Sequence, residues 1–461
     1  MCKYGTSAMR MFNTATGTVD ELIPRRAGEV AMYICGPTVY GEPHVGHGRT
    51  SLVYDILRRY LNARGIRVRH VSNITDIEDK IIARANAEGR QWNEIARECE
   101  AQWWQAMDAL GILRPDDIPH ATDYLEEMLE LIGDLVDRDL AYETGDGVYL
   151  AVESVKDYGL LAHRSLAEML ASAESRIEAR EDKRSPADFA LWKKAKPGEP
   201  KWPSRFGEGR PGWHTECVAM SLKLLGEDFE VHGGGRDLVF PHHENERAQA
   251  VALDCRFARH WVHGGLVEVG GEKMSKSLGN FMTLRELLEQ NDARSYRLLV
   301  LRAHYRSAIE VTNETLADAK GALDRIDACA RRFAGEPGDR STVESETLTE
   351  RFFSFMDDDL DTPHAVAALF DAIRLAHSLA DGGDVDSAGA LAGRALSHFA
   401  SLGLLASVGE EALDAATAQM VAARDAARAG RDFARADAIR HELERAGFVV
   451  EDTPLGTRIH R

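Results

Sequence analysis

Two short segments of this sequence carry side chains suited to binding phosphate groups. Segment 44–47, with the sequence HVGH, holds two imidazoles and a glycine that would let a ligand approach the backbone closely. Segment 273–277, with the sequence KMSKS, holds two lysines and is flanked by glycines, as in a mobile loop that closes over a polyphosphate. Each segment alone is equally well explained as an ordinary loop, because such short patterns recur freely. The pair becomes specific if the fold brings both to one place.

The elements predicted around these segments would do so. Residues 30–35 form an apolar run that indicates a strand, residues 51–64 have the period of an amphipathic helix, and residues 68–71 indicate a second strand. This order opens an α/β fold with a Rossmann-like, doubly wound parallel sheet, which we expect strands at 229–232 and 266–269 to complete. Ligands bind at the carboxyl edge of such sheets, where both segments would lie.

The composition is that of an ordinary globular protein with an acidic balance. With 56 Lys and Arg against 75 Asp and Glu, the 461 residues carry a formal charge of −19, which leaves room for only a local basic surface. No apolar run approaches the roughly 20 residues of a membrane span and no signal peptide is recognisable, so we expect a cytoplasmic protein. The six cysteines include no C-x-x-C pair, so any metal site would have to join distant segments.

Taken together, the HVGH and KMSKS segments resemble the two signature sequences of class I aminoacyl-tRNA synthetases. The surrounding residues resemble the cysteinyl-tRNA synthetase family over nearly the whole chain. The matching segments are 35–40 (CGPTVY), 73–80 (NITDIEDK), 212–217 (GWHTEC), 232–238 (HGGGRDL), 240–246 (FPHHENE) and 356–359 (MDDD). The departures are modest: Val45 stands where isoleucine is usual, Gly48 stands where alanine is common, and residues 41–43 differ. None of them changes a group that donates or coordinates.

The resemblance implies one zinc ion per chain, held by Cys35, Cys217, His242 and Glu246. Two thiolates, an imidazole and a carboxylate suit Zn²⁺, and residues four apart share one face of a helix. Spacing alone does not choose among the six cysteines, and His243 is the alternative to His242. Zinc binds a thiol far better than a hydroxyl, which would separate cysteine from serine without an editing site.

The resemblance also implies the reaction, which is ATP-dependent activation of L-cysteine to cysteinyl-adenylate and transfer to tRNA(Cys), with Mg²⁺ accompanying ATP. The expected catalytic residues, which stabilise charge on the phosphates, are His44, His47, Lys273 and Lys276. The expected nucleotide-binding residues are Gly36, Thr38, His44, Gly46, His47, Asp237 and Lys276. The expected amino-acid-binding residues are Cys35, Thr75, Trp213 and His232. The expected partners are therefore tRNA(Cys), L-cysteine and ATP, with no membrane, and we expect a monomer.

The length corresponds to about three domains. The pattern of predicted strands and helices divides the chain into more segments than that. We expect a Rossmann-like catalytic domain in two halves, 1–141 and 202–297, the second holding the zinc site and the KMSKS loop. A connective insertion would occupy 142–201, and it is too short for a hydrolytic site of its own. An α-helical bundle at 298–405 and a small anticodon-binding domain at 406–461 would follow.

Two other functions remain open. A cysteine ligase of thiol biosynthesis, which joins activated cysteine to an amino sugar, would share the zinc and both signatures but needs no anticodon reader. A non-catalytic, synthetase-like protein that binds RNA or zinc would be expected to have lost a signature residue, and all four are present.

Segment 424–461, with eight arginines against seven acidic residues, is basic relative to the rest and favours a tRNA partner. The tryptophan usual near the C-terminus of this family is absent. Residues 417–446 are predicted to form one helix.

Overall fold

The computed structural model describes residues 8–172, 182–269, 272–273, 282–334, 341–407, 415–453 and 456–460. The described helices are α1 Val45–Ala63, α2 Asp79–Glu88, α3 Trp92–Ala109, α4 Leu125–Asp137, α5 Leu166–Ser172, α6 Trp213–Leu225, α7 Glu244–Ala252, α8 Leu284–Gln290, α9 Ala293–Leu301, α10 Asn313–Arg332, α11 Val343–Asp357, α12 Thr362–Asp381, α13 Val385–Ser401, α14 Ala415–Ala429 and α15 Phe433–Arg445. The described strands are β1 Arg10–Asn13, β2 Thr18–Glu21, β3 Glu29–Ile34, β4 Arg67–Ser72, β5 Ala141–Glu143, β6 Gly147–Leu150, β7 Phe189–Lys194, β8 Gly209–Pro211, β9 Phe229–Gly235, β10 Ala258–Gly264, β11 Val267–Val269, β12 Glu272–Lys273, β13 Ile309–Glu310, β14 Val449–Thr453 and β15 Gly456–His460.

The chain divides into two compact units. The first is Met1–Lys320 with Glu350–Ala367 and Ser401–Leu404, and the second is Gly321–Thr349, Ala368–Ala400 and Leu405–Arg461. In the portions that the structure describes, no helix combines the length and the apolar character needed to cross a bilayer.

A four-stranded parallel sheet with the order β10-β9-β3-β4 forms the centre of the first unit. The predicted strands at 30–35, 68–71 and 229–232 are confirmed, with bounds that differ by a few residues. The prediction that 266–269 completes this sheet is wrong. β10 is the fourth strand, and β11 pairs instead with β12 and β13, because the chain turns away at Gly265, whose N–H bonds to Tyr305 O at 2.7 Å.

The helix that follows the first strand begins earlier than predicted, at Val45 instead of residue 51. Its start is a reciprocal cap between the two signature histidines: His44 Nδ1 accepts from His47 N at 3.4 Å, and His47 Nδ1 accepts from His44 N at 3.3 Å. Such a capping box satisfies backbone donors that have no partner within the helix. The first signature is therefore the first turn of α1, with both imidazoles at its N-terminus.

The insertion between the halves of the sheet folds around its own antiparallel sheet, with the order β5-β6-β7-β8. Its core contains Trp192, which is fully buried. The buried carboxylate of Asp188 accepts from Tyr142 Oη at 2.6 Å and from Val152 N at 2.9 Å. These hydrogen bonds connect β5 to the residue that precedes β7.

The end of the second unit is a pair of helices and a hairpin. The prediction of one helix over 417–446 is wrong, because α14 ends at Ala429 and α15 begins at Phe433. Arg431 between them has φ +59, and Asp432 caps α15 by accepting from Arg435 N. β14 and β15 pair antiparallel, and their apolar residues pack on the helices in a cluster of Leu443, Phe448, Val450 and Ile459.

Asp359 joins three distant segments of the first unit. Its Oδ1 accepts from Phe12 N and Tyr305 Oη, both at 2.8 Å, and its Oδ2 accepts from Arg306 Nε at 2.8 Å. Its φ of +56 lies in the left-handed region, which asparagine and aspartate adopt more readily than other side chains. Asp358 beside it is exposed.

We expect Asp359→Asn to lower the free energy of unfolding by about 2 to 3 kcal/mol. The amide tolerates the left-handed backbone but replaces one of the two acceptor oxygens by an NH2 donor, which then faces either the two donors at Oδ1 or the Arg306 guanidinium at Oδ2. The matched control is Asp358→Asn, for which we expect a change within about 0.5 kcal/mol. Urea unfolding followed by circular dichroism measures both, and equal effects of the two variants would contradict the assignment.

Candidate active site

A cavity of about 440 Å³ opens at the carboxyl edge of the central sheet. Its walls come from the residues that follow three neighbouring strands: 35–38 after β3, 235–238 after β9 and 265–267 after β10. The first turn of α1 and the middle of α3 complete it. The structure brings eight of the predicted residues to its lining: Cys35, Gly36, Thr38, His44, Gly46, His47, Trp213 and Asp237.

The rings of the two signature histidines stack face to face at the N-terminus of α1. Their ring centroids are 3.6 Å apart with planes inclined by 22°, and the ring of Trp103 meets that of His47 edge to face, with centroids 5.4 Å apart. Because each Nδ1 accepts a backbone N–H, a neutral ring carries its proton on Nε2. Two Nε2–H donors at a helix N-terminus favour an anionic ligand. Trp103 was missed from the sequence, because an aromatic residue within a helix usually belongs to a core.

A cluster of potential metal ligands forms the wall of the cavity at Cys35. Cys35 Sγ lies 3.6 Å from Cys217 Sγ and 3.3 Å from Glu246 Oε1. His242 Nε2 lies 3.7 Å from Cys217 Sγ and 2.9 Å from Glu246 Oε1. Tetrahedral zinc with bonds of about 2.0 to 2.3 Å has ligand separations of about 3.3 to 3.8 Å. Three of these four distances lie in that range, and the fourth, between His242 and Glu246, is shorter, so the donor set suits the ion once these two side chains move slightly apart.

His242 is also oriented as a metal ligand should be. Its second ring nitrogen, Nδ1, lies 2.9 Å from His214 Nδ1, and the indole of Trp213 packs on its ring with centroids 4.2 Å apart. A hydrogen bond at the far nitrogen is the usual way to fix the ring of a ligating histidine. His214 is thus a supporting residue that the sequence did not single out from the other histidines.

A second set of donors shares two residues with the first. It consists of Cys35, His232, His243 and Glu246. His232 Nε2 lies 2.9 Å from Glu246 Oε2, but His243 Nε2 is 4.0 Å from Glu246 Oε1, and its Nδ1 lies 2.7 Å from His263 Nε2. The shorter distances therefore favour His242 over His243.

The cluster is buried, and its charges shift one another's pKa values. Burial lowers the pKa of His242, but Glu246 and Cys217 outweigh it and raise that pKa to about 10. Burial raises the pKa of Glu246, but His232 and His242 hold it well below its usual value. Burial, together with Cys217, raises the pKa of Cys35. Without a metal, the cluster therefore stores protons that a divalent cation can replace.

Two predicted substrate residues do not reach the cavity surface. Thr75 is buried behind the wall, where its Oγ1 donates to Glu216 Oε2 at 2.8 Å and accepts from Asn73 Nδ2 at 3.1 Å. His232 is fully buried behind Glu246. Their direct contact with a substrate stays a prediction.

The second signature is described only at its margins. The backbone of Lys273 ends β12, opposite Glu268 of β11, while the side chain of Lys273 and all of Lys276 lie outside the described residues. After this signature the chain is again described from Met282, whose carbonyl accepts from Val45 N at 3.1 Å. The chain thus returns to the first turn of α1.

A tyrosine that the sequence did not reveal explains the glycine run in the second half of β9. Tyr54 Oη lies 2.9 Å from Gly234 O and 2.7 Å from Val262 O, so it joins α1 to β9 and β10. A Cβ at Gly233 would lie 2.5 Å from Tyr54 Oη. The run of glycines was the available signal, since it indicates a close approach by another element.

Comparison with known proteins places this site in a family. A model of the tRNA synthetases class I (C) catalytic domain matches residues 21–321, a DALR domain matches 351–406, and a cysteinyl-tRNA ligase anticodon binding domain matches 410–460. A cysteine–tRNA ligase of Pelobacter propionicus is 42% identical over 98% of this chain and 99% of its own length. One of Thermotoga maritima is 42% identical over 97% and 99%. The chain belongs to the cysteinyl-tRNA ligase family.

Solved structures show the same fold at low sequence identity. Mycobacterium tuberculosis methionyl-tRNA synthetase in complex with methionyl-adenylate aligns with a TM-score of 0.62 and 15% identity, over 81% of this chain and 91% of that chain. The Agrobacterium radiobacter LeuRS in a ternary complex with tRNA and LeuAMS aligns with a TM-score of 0.58 and 12% identity, over 83% and 86%. The predicted Rossmann-like fold of class I synthetases is therefore confirmed.

One departure from the usual sequence of the cysteinyl-tRNA ligase family has a packing reason. Gly48 stands where alanine is common, and a Cβ there would lie 2.7 Å from Leu284 Cδ2. Leu284 is fully buried and begins α8, directly after the second signature. In this member of the family, the leucine occupies the space that an alanine methyl would take.

His70 forms part of the cavity wall on β4 and is 7% exposed. Neither ring nitrogen has a hydrogen-bond partner among the described residues. Burial, and then the charge of Arg58, lower its pKa to about 3. The folded protein therefore keeps this ring neutral at pH values where an unfolded chain protonates it.

Because the pKa of His70 is depressed by folding, its contribution to stability is complete above about pH 6.5 and is lost as the pH falls toward 3. Between pH 6.5 and pH 5 we expect this one group to account for about 2 kcal/mol of lost stability. In His70→Leu that part of the pH dependence disappears, whereas in the control His441→Leu, at an exposed histidine, it remains. Urea unfolding at a series of pH values measures it, and parallel curves for wild type and His70→Leu would refute the assignment.

Proposed function

We propose that this protein is a cysteine–tRNA ligase, which activates L-cysteine with ATP to cysteinyl-adenylate and transfers the cysteine to tRNA(Cys). The observation that carries the proposal is the position of Cys35, which belongs both to the cluster of metal ligands and to the lining of the cavity beside the two signature histidines. A thiol-binding centre and a phosphate-binding helix terminus therefore face one space. The proposed monomer would act in the cytoplasm, as expected from the sequence.

Cys35, Cys217, His242 and Glu246 would hold one zinc ion. When bound, zinc supplies a Lewis acid that prefers the thiolate of cysteine to the hydroxyl of serine. The chain's own residues then shape the amino-acid site: Trp213 packs against His242 and covers one side of the cavity, and His214 fixes the ring of His242. Asp237, after β9, is placed to accept a hydrogen bond from the substrate amine or the ribose.

The nucleotide would lie over α1. The Nε2–H groups of His44 and His47 donate to phosphate oxygens, and the glycine between them keeps the helix start open to the ligand. We assign Lys273 and Lys276 to the departing pyrophosphate and its Mg²⁺. The carboxylate of cysteine attacks the α-phosphorus and pyrophosphate leaves. A hydroxyl of the terminal ribose of the tRNA then attacks the carbonyl carbon of the mixed anhydride, which forms the ester and releases AMP. These residues act by positioning and charge stabilisation, with no covalent enzyme intermediate.

The boundaries expected from the sequence remain part of the proposal. Residues 1–141 and 202–297 would form the catalytic domain and 142–201 the insertion, while 406–461 would contact the anticodon. The match of 410–460 to an anticodon binding domain supports a tRNA substrate over an amino sugar.

The decisive experiment is cysteine-dependent exchange between ATP and labelled pyrophosphate, followed by transfer assays. We expect exchange with cysteine but not with serine, and charging of tRNA(Cys) transcripts. Exchange with transfer to an amino sugar but not to tRNA would establish the alternative ligase. The absence of exchange from a zinc-loaded, folded protein would leave only a binding function.

The ligand set has its own test. We expect Cys217→Ser to lower zinc content below one ion per chain and to raise the KM for cysteine at least tenfold, since loss of a ligand or its support weakens metal binding by about 10- to 100-fold. Cys255→Ser changes a half-buried thiol that bonds to Leu253 O and belongs to neither set of potential metal ligands, and it is the matched control. Metal analysis and exchange kinetics measure both. Full zinc content in Cys217→Ser would refute this ligand set.

A further inference from the structure

Arg49 is a buried arginine whose partners are backbone carbonyls. It lies one turn into α1 and is 2% exposed. Its guanidinium donates to the carbonyl oxygens of Leu266 and Ser307, and its Nη2 lies 3.3 Å from Tyr305 O. No carboxylate of the described residues pairs with it, and burial lowers its pKa to about 10. A charge buried without a counter-ion calls for an explanation other than stability.

One of the carbonyls that bind Arg49, that of Leu266, belongs to a wall of the active-site cavity, and those of Tyr305 and Ser307 lie in the segment before β13. Gly265, Leu266 and Val267 line that wall, and Gly46 and Thr50 of α1 line the wall that carries Arg49. The side chain of Arg49 therefore spans from the helix of the first signature to the connection between β10 and β11. This connection leads directly into β12 and the second signature.

The chain that is described again after the second signature, from Met282, is attached to the start of the same helix. Val45 N donates to Met282 O at 3.1 Å, and Leu284 N donates to Pro43 O at 2.8 Å. Tyr296 Oη, from α9, donates to Val45 O at 2.6 Å. The connection between β10 and β11 is thus held to α1 by the bond from Arg49 to Leu266 O. The chain after the second signature is held to the start of α1 by the bond from Val45 N to Met282 O. Of these attachments, that of Arg49 is the one made by a charged side chain.

Two of the three carbonyls have another donor. Leu266 O accepts from Ile309 N at 3.0 Å, and Tyr305 O accepts from Gly265 N at 2.7 Å. Replacing Arg49 by an apolar side chain of similar length would therefore leave few backbone groups unpaired. It would also remove a buried charge, and such replacements are often neutral for stability. Of the three carbonyls, that of Ser307 is the one that depends on this guanidinium for its donor among the described residues.

We propose that Arg49 is a positioning residue for the nucleotide, which holds the 265–267 wall at a fixed distance from α1 and so sets the width of the ATP cleft. The proposal rests on the adenylation reaction proposed above. It assigns Arg49 no contact with the substrate. Its effect is to place the backbone of 265–267 and the start of the second signature relative to His44 and His47.

The test compares Arg49→Met and Arg49→Lys with a control at Arg297. Arg297 is equally buried and also binds carbonyls, at Leu110 and Gly111, but it is paired with Asp55 at 2.5 Å. Measurements are the KM and kcat for ATP and for cysteine in pyrophosphate exchange, the affinity for ATP by isothermal titration calorimetry, and the melting temperature. Arg49→Lys keeps the charge but not the planar fork that reaches three carbonyls.

For Arg49→Met we expect kcat/KM for ATP to fall about 100-fold, as for a displacement of about 1 Å near the reacting groups. The KM for cysteine should change less than about threefold, because the zinc cluster lies after β3, on α6 and at the start of α7, apart from residues 265–267. Arg49→Lys should be intermediate. Arg297→Met should lower the melting temperature more than Arg49→Met, because it leaves a buried carboxylate with one partner fewer, and it should leave the KM for ATP unchanged.

An unchanged KM and affinity for ATP in Arg49→Met would overturn the proposal, as would an equal loss in Arg297→Met. Failure of the proposed function can be distinguished from failure of the role proposed for Arg49. If the wild type shows no cysteine-dependent exchange but binds ATP, a weaker calorimetric affinity in Arg49→Met alone still supports the positioning role. If the affinity in that case is the same for wild type and variant, the role is refuted.

Discussion

A carboxylate without solvent exposure, Glu246, imposes the strongest constraint on this structure. A buried negative charge is tolerated only where positive charge or hydrogen-bond donors surround it. Here His242 Nε2 lies 2.9 Å from Oε1, and His232 Nε2 lies 2.9 Å from Oε2. Cys35 Sγ lies 3.3 Å from Oε1. To make these contacts, the end of β3, the middle of β9 and the start of α7 have to meet at one point. The order of the parallel sheet, with β9 beside β3, provides that meeting point.

The same edge of the sheet has to hold backbone segments unusually close together. A Cβ at Gly36 would collide with Asn73 O, one at Gly233 would approach Tyr54 Oη, and one at Gly265 would collide with Ser307 O. These three glycines lie at or near the ends of the three strands that carry the cavity. Their shared property is the absence of a side chain, which lets α1 and the loops pack on the strand ends and leaves the cavity as the only wide gap there in the part of the chain that the structure describes.

The parts that the sequence predicted well are those in which local pattern and tertiary role agree. β3, α1 and β4 follow one another with short connections, so the apolar runs and Gly65 were sufficient. Residues 266–269 look like a strand and are one, but their partners are set by the turn at Gly265, which no local pattern reveals. β10, which takes the place expected for them, carries His260 and His263 and so lacks the apolar run of a central strand.

The choice of Cys35 and Cys217 came from the family resemblance, because no sequence pattern links two cysteines that are 182 residues apart along the chain. Arg49 was not predicted, since a buried arginine cannot be told from an exposed one on a helix.

The charge of the terminal unit shows why counts of arginine overstate a surface. Eight arginines against seven acidic residues made segment 424–461 look basic, yet Arg424 is buried and donates to Asp452 Oδ1 at 2.7 Å and Thr457 Oγ1 at 2.5 Å. Arg428 shares the same carboxylate, and Arg440 pairs with Glu444. These arginines attach the hairpin to its helices or neutralise neighbours. Arg431 and Arg435, at the break between α14 and α15, are exposed. In a chain with a net charge of −19, the field of the whole protein does not attract a polyanion, so the anticodon contact proposed for this unit would have to depend on a few such local contacts and on the shape that the break creates.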